Sequence, residues 1–287
     1  MHKSEGMDGE NPTALRGASE EPGEEVELMD DADASEGMTL LEHLEELRWT
    51  IAKSLIAFGL GCVLVMVFLT AFARLLLWPY EFATRGYEHV TMEGLINTSF
   101  LGVFSVIFQL MLIGGLGLAL PVILYFFGSF VAPGLTPAEK RMLRPGCAAA
   151  LGLFLLGATF SFFVLLPAGL RASVVFNDML GFQLFVTASS YYGLLTFAVL
   201  GVGLAFELPL IIVLCIYIGI LNTDQLRRFR RYSIVLFLVL AAIITPTPDP
   251  ITFLFLAVPM SLLYETAIYL GSKVERRRAE REAAEGW

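Results

Sequence analysis

Residues 191–221 read YYGLLTFAVLGVGLAFELPLIIVLCIYIGIL, thirty-one residues carrying a single charge, Glu207. At about 1.5 Å per residue a helix of this length exceeds the ~30 Å hydrocarbon core of a bilayer, so the stretch reads as a membrane span. A carboxylate at the centre of such a span costs about 2.5–3.5 kcal/mol on insertion scales, which marks Glu207 as a functional residue. Two positions on, Pro209 lacks an amide hydrogen and collides with the carbonyl one turn back, so the helix should bend there. Bend and carboxylate together predict a polar pocket at mid-membrane, a place where lipid alone would accept neither.

The rest of the chain extends this reading. It is 56% hydrophobic with a mean hydropathy of +0.70, too apolar for an ordinary soluble domain. Six apolar segments stand out, at about 49–77, 100–131, 146–170, 191–221, 232–244 and 251–270. The predicted fold class is an all-α integral membrane protein with six transmembrane helices. The last two segments are short: 13 uncharged residues in 232–244, and 14 in 251–264 before Glu265. Both fall below the ~20 residues of an ordinary crossing, so they imply either re-entrant segments or a thinned bilayer beside them. Between them, Pro246, Pro248, Asp249 and Pro250 predict a rigid non-helical turn.

The charge is local. Residues 1–36 hold 12 acidic and 2 basic side chains, while the remainder holds 16 and 17. The formal net charge of −9 therefore describes a tail and implies nothing about acidic or basic cargo; no nucleic-acid partner is expected. Residues 1–37, rich in Glu, Asp, Gly and Ser, read as an acidic disordered extension, without the basic start and apolar core of a secretory signal. Residues 38–272 form the six-span domain and residues 273–287 a charged C-terminal tail. If both termini share one side with the second–third and fourth–fifth loops, that side receives 16 of the 19 Lys and Arg residues. Only Arg74, Arg85 and Arg171 fall opposite. The positive-inside rule then predicts that both termini are cytoplasmic.

Cys62, Cys147 and Cys215 are scattered in apolar runs and read as small buried hydrophobes. No zinc spacing, P-loop, nucleophile elbow or dinucleotide-binding turn occurs, so no metal or other cofactor is expected. An intramembrane hydrolase would need a nucleophile with its base, a metal, or two membrane-embedded aspartates; Glu207 alone supplies none of these. A secondary transporter using Glu207 as a relay is the alternative reading, but it calls for repeated halves, and the short spans are both C-terminal.

Before the first span, Leu40, Leu44, Leu47 and Ile51 recur at helical spacing, predicting an amphipathic helix that lies at the interface and runs into the span. Thr39 with Glu42 makes a capping box, as do Thr136 with Glu139 and Asn222 with Gln225. Pro137 suits the first helical position. On local chemistry, Glu45 and Glu46 belong to a solvated helix face, Glu139 to a cap, and Arg227, Arg228, Arg230 and Arg231 to topology and headgroup contact.

Five strings together resemble the TatC family, the core subunit of the twin-arginine protein translocase. They are His43-Leu44-Glu45-Glu46-Leu47-Arg48; Pro121-Val122-Ile123-Leu124-Tyr125; Phe130-Val131-Ala132-Pro133-Gly134-Leu135 leading to Glu139-Lys140-Arg141; Phe206-Glu207-Leu208-Pro209; and Thr245-Pro246 through Asp249. The resemblance spans roughly residues 38–272 and leaves the acidic tail outside. It implies a concave bundle that is no enzyme. Such a subunit binds twin-arginine signal peptides and, with TatA- and TatB-like single-span partners in an oligomeric receptor complex, exports folded proteins across a prokaryotic inner membrane using the proton gradient. It assigns signal recognition to Glu46 and Glu139, with Glu45, Arg48 and Phe130 beside them in those motifs. Carboxylates hold guanidinium pairs in a bidentate geometry that lysine cannot match. The resemblance also implies that Glu207 and Pro209 mark a docking place for partner helices within the membrane, and that Pro246 and Asp249 shape an outer turn.

Overall fold

The amphipathic stretch and the first span are one helix. In the computed structural model, which describes residues 40–87, 94–134, 137–244 and 250–285, helix α1 runs without a break from Leu40 to Val67. Residues 1–43 and 44–287 form separate units, and the helical bundle belongs to the second. The acidic tail, Thr39 of the first capping box, Thr136 of the second, and the turn with Pro246 and Asp249 lie outside the described residues. The expected first span does not reach residue 77 as one rod: α1 ends before Phe68, and the path continues as α2 (Leu69–Leu76) and α3 (Trp78–Thr84).

Helix α4 (Gly102–Val131) carries Pro121 in its interior and ends in a 3-10 turn over Ala132–Gly134. Helix α5 (Pro137–Phe160) begins on its proline, as expected of a residue whose missing amide hydrogen costs nothing in the first turn. It passes through a π-helical turn, Ser161–Leu165, into α6 (Leu166–Met179). The extra residue in that turn precedes Pro167, whose ring and missing amide cannot continue an ordinary helical ladder.

The bend foreseen near Pro209 is a break. Helix α7 (Ala188–Ala205) stops, Phe206 and Glu207 form a turn, and α8 (Leu208–Ile218) restarts with the proline in its first turn. Gly219, at φ 87°, ends α8 in the left-handed conformation that side chains with a Cβ resist. Helix α9 spans Thr223–Ile244, and the amide of Asn222 donates to Gln225 Oε1 at 3.3 Å, the reach-back half of the predicted capping box.

Helix α10 (Pro250–Glu285) departs from expectation. It is one 36-residue helix that passes Glu265 and continues through most of the stretch read as a tail. Neither α9 nor α10 reverses within its length. Glu265 is accommodated because Arg230 of α9 donates to its Oε2 at 2.8 Å. Among the described residues, five helical stretches are long and apolar enough to cross a membrane: Leu41–Val67, Gly102–Val131, Leu143–Met179, Ala188–Tyr217 and Thr252–Arg276. Helix α9 has the length but carries Asp224 and four arginines in its first half, leaving the 13-residue apolar segment. No β-strand occurs among the described residues; a single parallel bridge joins Ile96 to Thr187.

Helices α1 and α4 cross at bare backbone. A Cβ on Gly61 would lie 2.7 Å from the Gly115 carbonyl oxygen, and one on Gly115 would lie 2.6 Å from Cys62 Sγ. Lipid tails are as apolar as leucine, so close backbone approach at small residues supplies association that hydrophobicity cannot. Two apolar cores follow. One gathers Leu110, Ile113, Leu166, Tyr191 and Leu195; the other gathers Val202, Phe206, Phe237, Leu256, Met260 and Tyr264. Leu55, Leu60, Val63 and Val67 of α1 stay exposed, as a lipid-facing surface would.

Candidate functional site

The predicted recognition residues converge on one end of the bundle. Lys53 Nζ lies 5.8 Å from the Phe126 ring, and Gly61 meets Gly115, so α1 and α4 are antiparallel. That register puts Arg48 about level with Phe130, and Glu46 about level with the Ala132–Gly134 turn. Gly128 against Cys147 aligns α4 with α5, which brings the backbone of Glu139, in the first turn of α5, to the same level. The Glu139 side chain lies outside the described residues.

The two neighbouring glutamates of α1 differ. Glu45 is exposed and accepts from Arg48 at 3.4 Å, while the Arg48 guanidinium also lies 5.6 Å from the Trp49 ring. Glu46 is half-buried, and its Oε2 is shielded from solvent with no hydrogen-bond partner among the described residues. A solvated helix face therefore describes Glu45 but not Glu46. Phe130 is half-buried, its ring centroid 6.4 Å from that of Phe127.

Glu207 sits at the α7–α8 break, where its amide bonds Leu204 O at 3.1 Å and its carbonyl receives Ile211 N at 3.1 Å. Helix α5 presses on the break: a Cβ on Gly157 would come within 2.9 Å of Val202 O and 2.8 Å of the Phe206 ring. The cavity beside Pro209 is about 10 Å³ and is lined by Ala205, Leu208, Phe237, Met260 and other apolar groups, without Glu207. That is at the lower limit for one water, which would in any case lack polar partners. Pro209 turns its ring toward the α9–α10 core, so the break opens apolar space on that side.

At the opposite end, Tyr191 Oη donates to Leu76 O at 2.6 Å and Tyr192 Oη to Ala73 O at 3.0 Å. Trp78 stacks on Phe82 and Phe162 and meets Phe163 edge-on at 5.0 Å. Burial raises the Tyr80 hydroxyl above the ordinary phenol range, so it stays protonated. Nothing in the periodicity of the sequence announced these ties. Sequence reasoning also missed Glu275, whose Oε2 accepts from Thr223 Oγ1 and, at 3.3 Å, from Thr223 N at the start of α9. Cys62, Cys147 and Cys215 are free thiols, Cys62 buried and the others half-buried, and the described residues hold no cluster of three His, Cys, Asp or Glu side chains fit for a metal ion.

The family model of the Sec-independent protein translocase protein TatC matches residues 42–259. The chain belongs to the TatC family. It is 33% identical over 249 residues to the TatC protein of Aquifex aeolicus, covering 86% of this chain and all of that one. To the TatC protein of Desulforapulum autotrophicum it is 33% identical, covering 85% and 88%. The crystal structure of a twin-arginine translocase receptor TatC superimposes with a TM-score of 0.67 at 33% identity, over 81% of this chain and 99% of that one. TatC proteins are translocase subunits of the prokaryotic inner membrane, multi-pass and without a catalytic centre. The matched segment contains Glu45, Glu46, Arg48, Phe130, Glu139, Glu207, Pro209, Pro246 and Asp249, and leaves the acidic extension outside.

Proposed function

We propose that this TatC chain reads paired arginines in exported proteins through Glu46 and Glu139, at an end of the bundle that faces the cytoplasm together with both termini. The observation that carries this reading is the buried Oε2 of Glu46, which has no hydrogen-bond partner among the described residues. A desolvated acceptor without a donor costs about 1–3 kcal/mol, and a guanidinium supplied by a ligand recovers that cost. Glu139 enters the same end on the first turn of α5. Glu45, held by Arg48, keeps the neighbouring cation from quenching Glu46, and Phe130 gives an apolar wall for the arginine stems. Single-span TatA- and TatB-like partners would then dock beside Glu207 and the thin α9 segment, in an oligomeric receptor complex driven by the proton gradient.

Binding of a labelled twin-arginine signal peptide to the full chain in nanodiscs tests the site. Glu46→Ala and Glu139→Ala should each weaken binding roughly ten- to hundredfold, the range of a charge-assisted hydrogen bond. A peptide with paired lysines should bind the unmodified chain as poorly. Unchanged affinity in both variants overturns the assignment. For Glu207, loss of crosslinks to single-span partners in Glu207→Ala is the expected result; intact crosslinking and export would remove it from the docking surface.

A further inference from the structure

Between the last turns of α4 and the early turns of α5 lies an apolar groove of about 350 Å³. Leu124, Gly128, Cys147, Ala148 and Leu151 are among its lining, with Tyr125, Ser129 and Arg144 as its polar members. Both helices belong to stretches able to cross a membrane. Of its lining, Tyr125 and Ala148 are exposed, as is Leu155 one turn beyond Leu151, so the groove opens on the outside of the bundle along stretches able to cross a membrane. Its volume falls within the range of small-molecule sites, which are mostly apolar with a few placed polar groups.

The placed group here is a cation. Arg144 lies seven residues into α5, about 10 Å along the axis from Pro137, a depth from which its long stem can carry the guanidinium to the headgroup layer. Lys140, one turn earlier on the same helix face, adds a second exposed charge. Neither has a carboxylate partner among the described residues. The exposed Tyr125 faces the same layer from α4, where tyrosine is favoured.

We propose that this groove is a binding site for one anionic phospholipid, an acyl chain lying along Ala148 and Leu151 and its phosphate held by Arg144 with Lys140. Basic pockets between membrane helices recognise anionic headgroups by this combination of charge and apolar space. The apolar part of a signal peptide is the competing occupant. Its adjoining arginines would have to approach Arg144, and like charges make that the less favourable choice. The lipid site does not depend on the signal-recognition reading: it uses neither Glu46 nor Glu139.

The test compares retention of phosphatidylglycerol and of phosphatidylcholine with identical acyl chains by the detergent-purified full chain, measured by native mass spectrometry. The unmodified chain should retain phosphatidylglycerol roughly fivefold better, the effect of about one basic residue at the membrane surface. Arg144→Gln should abolish that preference while leaving the weaker, headgroup-independent retention. Ala148→Phe, at an exposed position on the groove wall, should fill the groove and reduce retention of both lipids. Equal retention of the two lipids by the unmodified chain, or a preference that survives Arg144→Gln, overturns the proposal. So does an Ala148→Phe variant that keeps its lipid but loses affinity for a twin-arginine peptide, since the groove would then belong to the peptide.

Discussion

The two ends of the bundle are built on opposite plans. At the end formed by α2, α3, α6 and the start of α7, several polar groups are paired across long sequence distances, although Gln109 Oε1 and Ser161 Oγ are buried there without a partner among the described residues. Two tyrosine hydroxyls reach carbonyls more than a hundred residues away in sequence, and Ile96 pairs its amide with Val186 O and its carbonyl with Ala188 N. Trp78 and its aromatic neighbours fill the space between. At the other end Glu46 Oε2 is buried without a donor among the described residues, Arg144 borders an apolar groove, and α4 meets α5 closely at Gly128. The first end is tied together by contacts distant in sequence. The second presents a charged acceptor and a cation beside apolar space, and it is where we propose that recognition takes place.

Substitutions can break this contrast or sharpen it. The largest effect should come from Glu46→Gln, which keeps the shape of the side chain and removes only its charge; peptide binding measured by fluorescence anisotropy should fall at least about tenfold, with the melting temperature held or raised. Gly61→Ala strikes backbone that cannot yield, since its Cβ would sit 2.7 Å from the Gly115 carbonyl. It should cost about 1–3 kcal/mol, seen as an earlier thermal transition in detergent. Tyr191→Phe deletes one tie of the closed end, and a loss of about 1 kcal/mol with unchanged peptide affinity is expected. If peptide affinity fell with it, the ends would be energetically coupled and the contrast would fail. Smallest is Arg230→Gln: its pair with Glu265 is about half exposed, so a change of about 0.2–1 kcal/mol is expected.

Local chemistry made the helices legible and long-range contact hid the rest. Pro209 announced the break, because a proline defect acts within one turn; the structure places it at Phe206 and Glu207, just before the ring. Pro137 and the Asn222–Gln225 pair were visible for the same reason. The passage of α10 through Glu265 was not, since its counter-charge sits 35 residues away on another helix. Pro167 held a usable hint of the π-helical turn before it, and hydropathy alone overlooked it. At the recognition end, spacing identified Glu46 as a surface glutamate like Glu45. Only packing separates the two, by shielding one oxygen and leaving the other carboxylate to Arg48.

Helix α10 is 36 residues long, about 54 Å end to end, against ~30 Å of hydrocarbon. Roughly 20 Å of it has to project past the lipid as a stiff mast. A fluorophore or affinity tag fused after Glu285 would ride at that standoff, so energy transfer from such a probe would report tilting of the helix beyond the interior Pro259, not the wandering of a loose end.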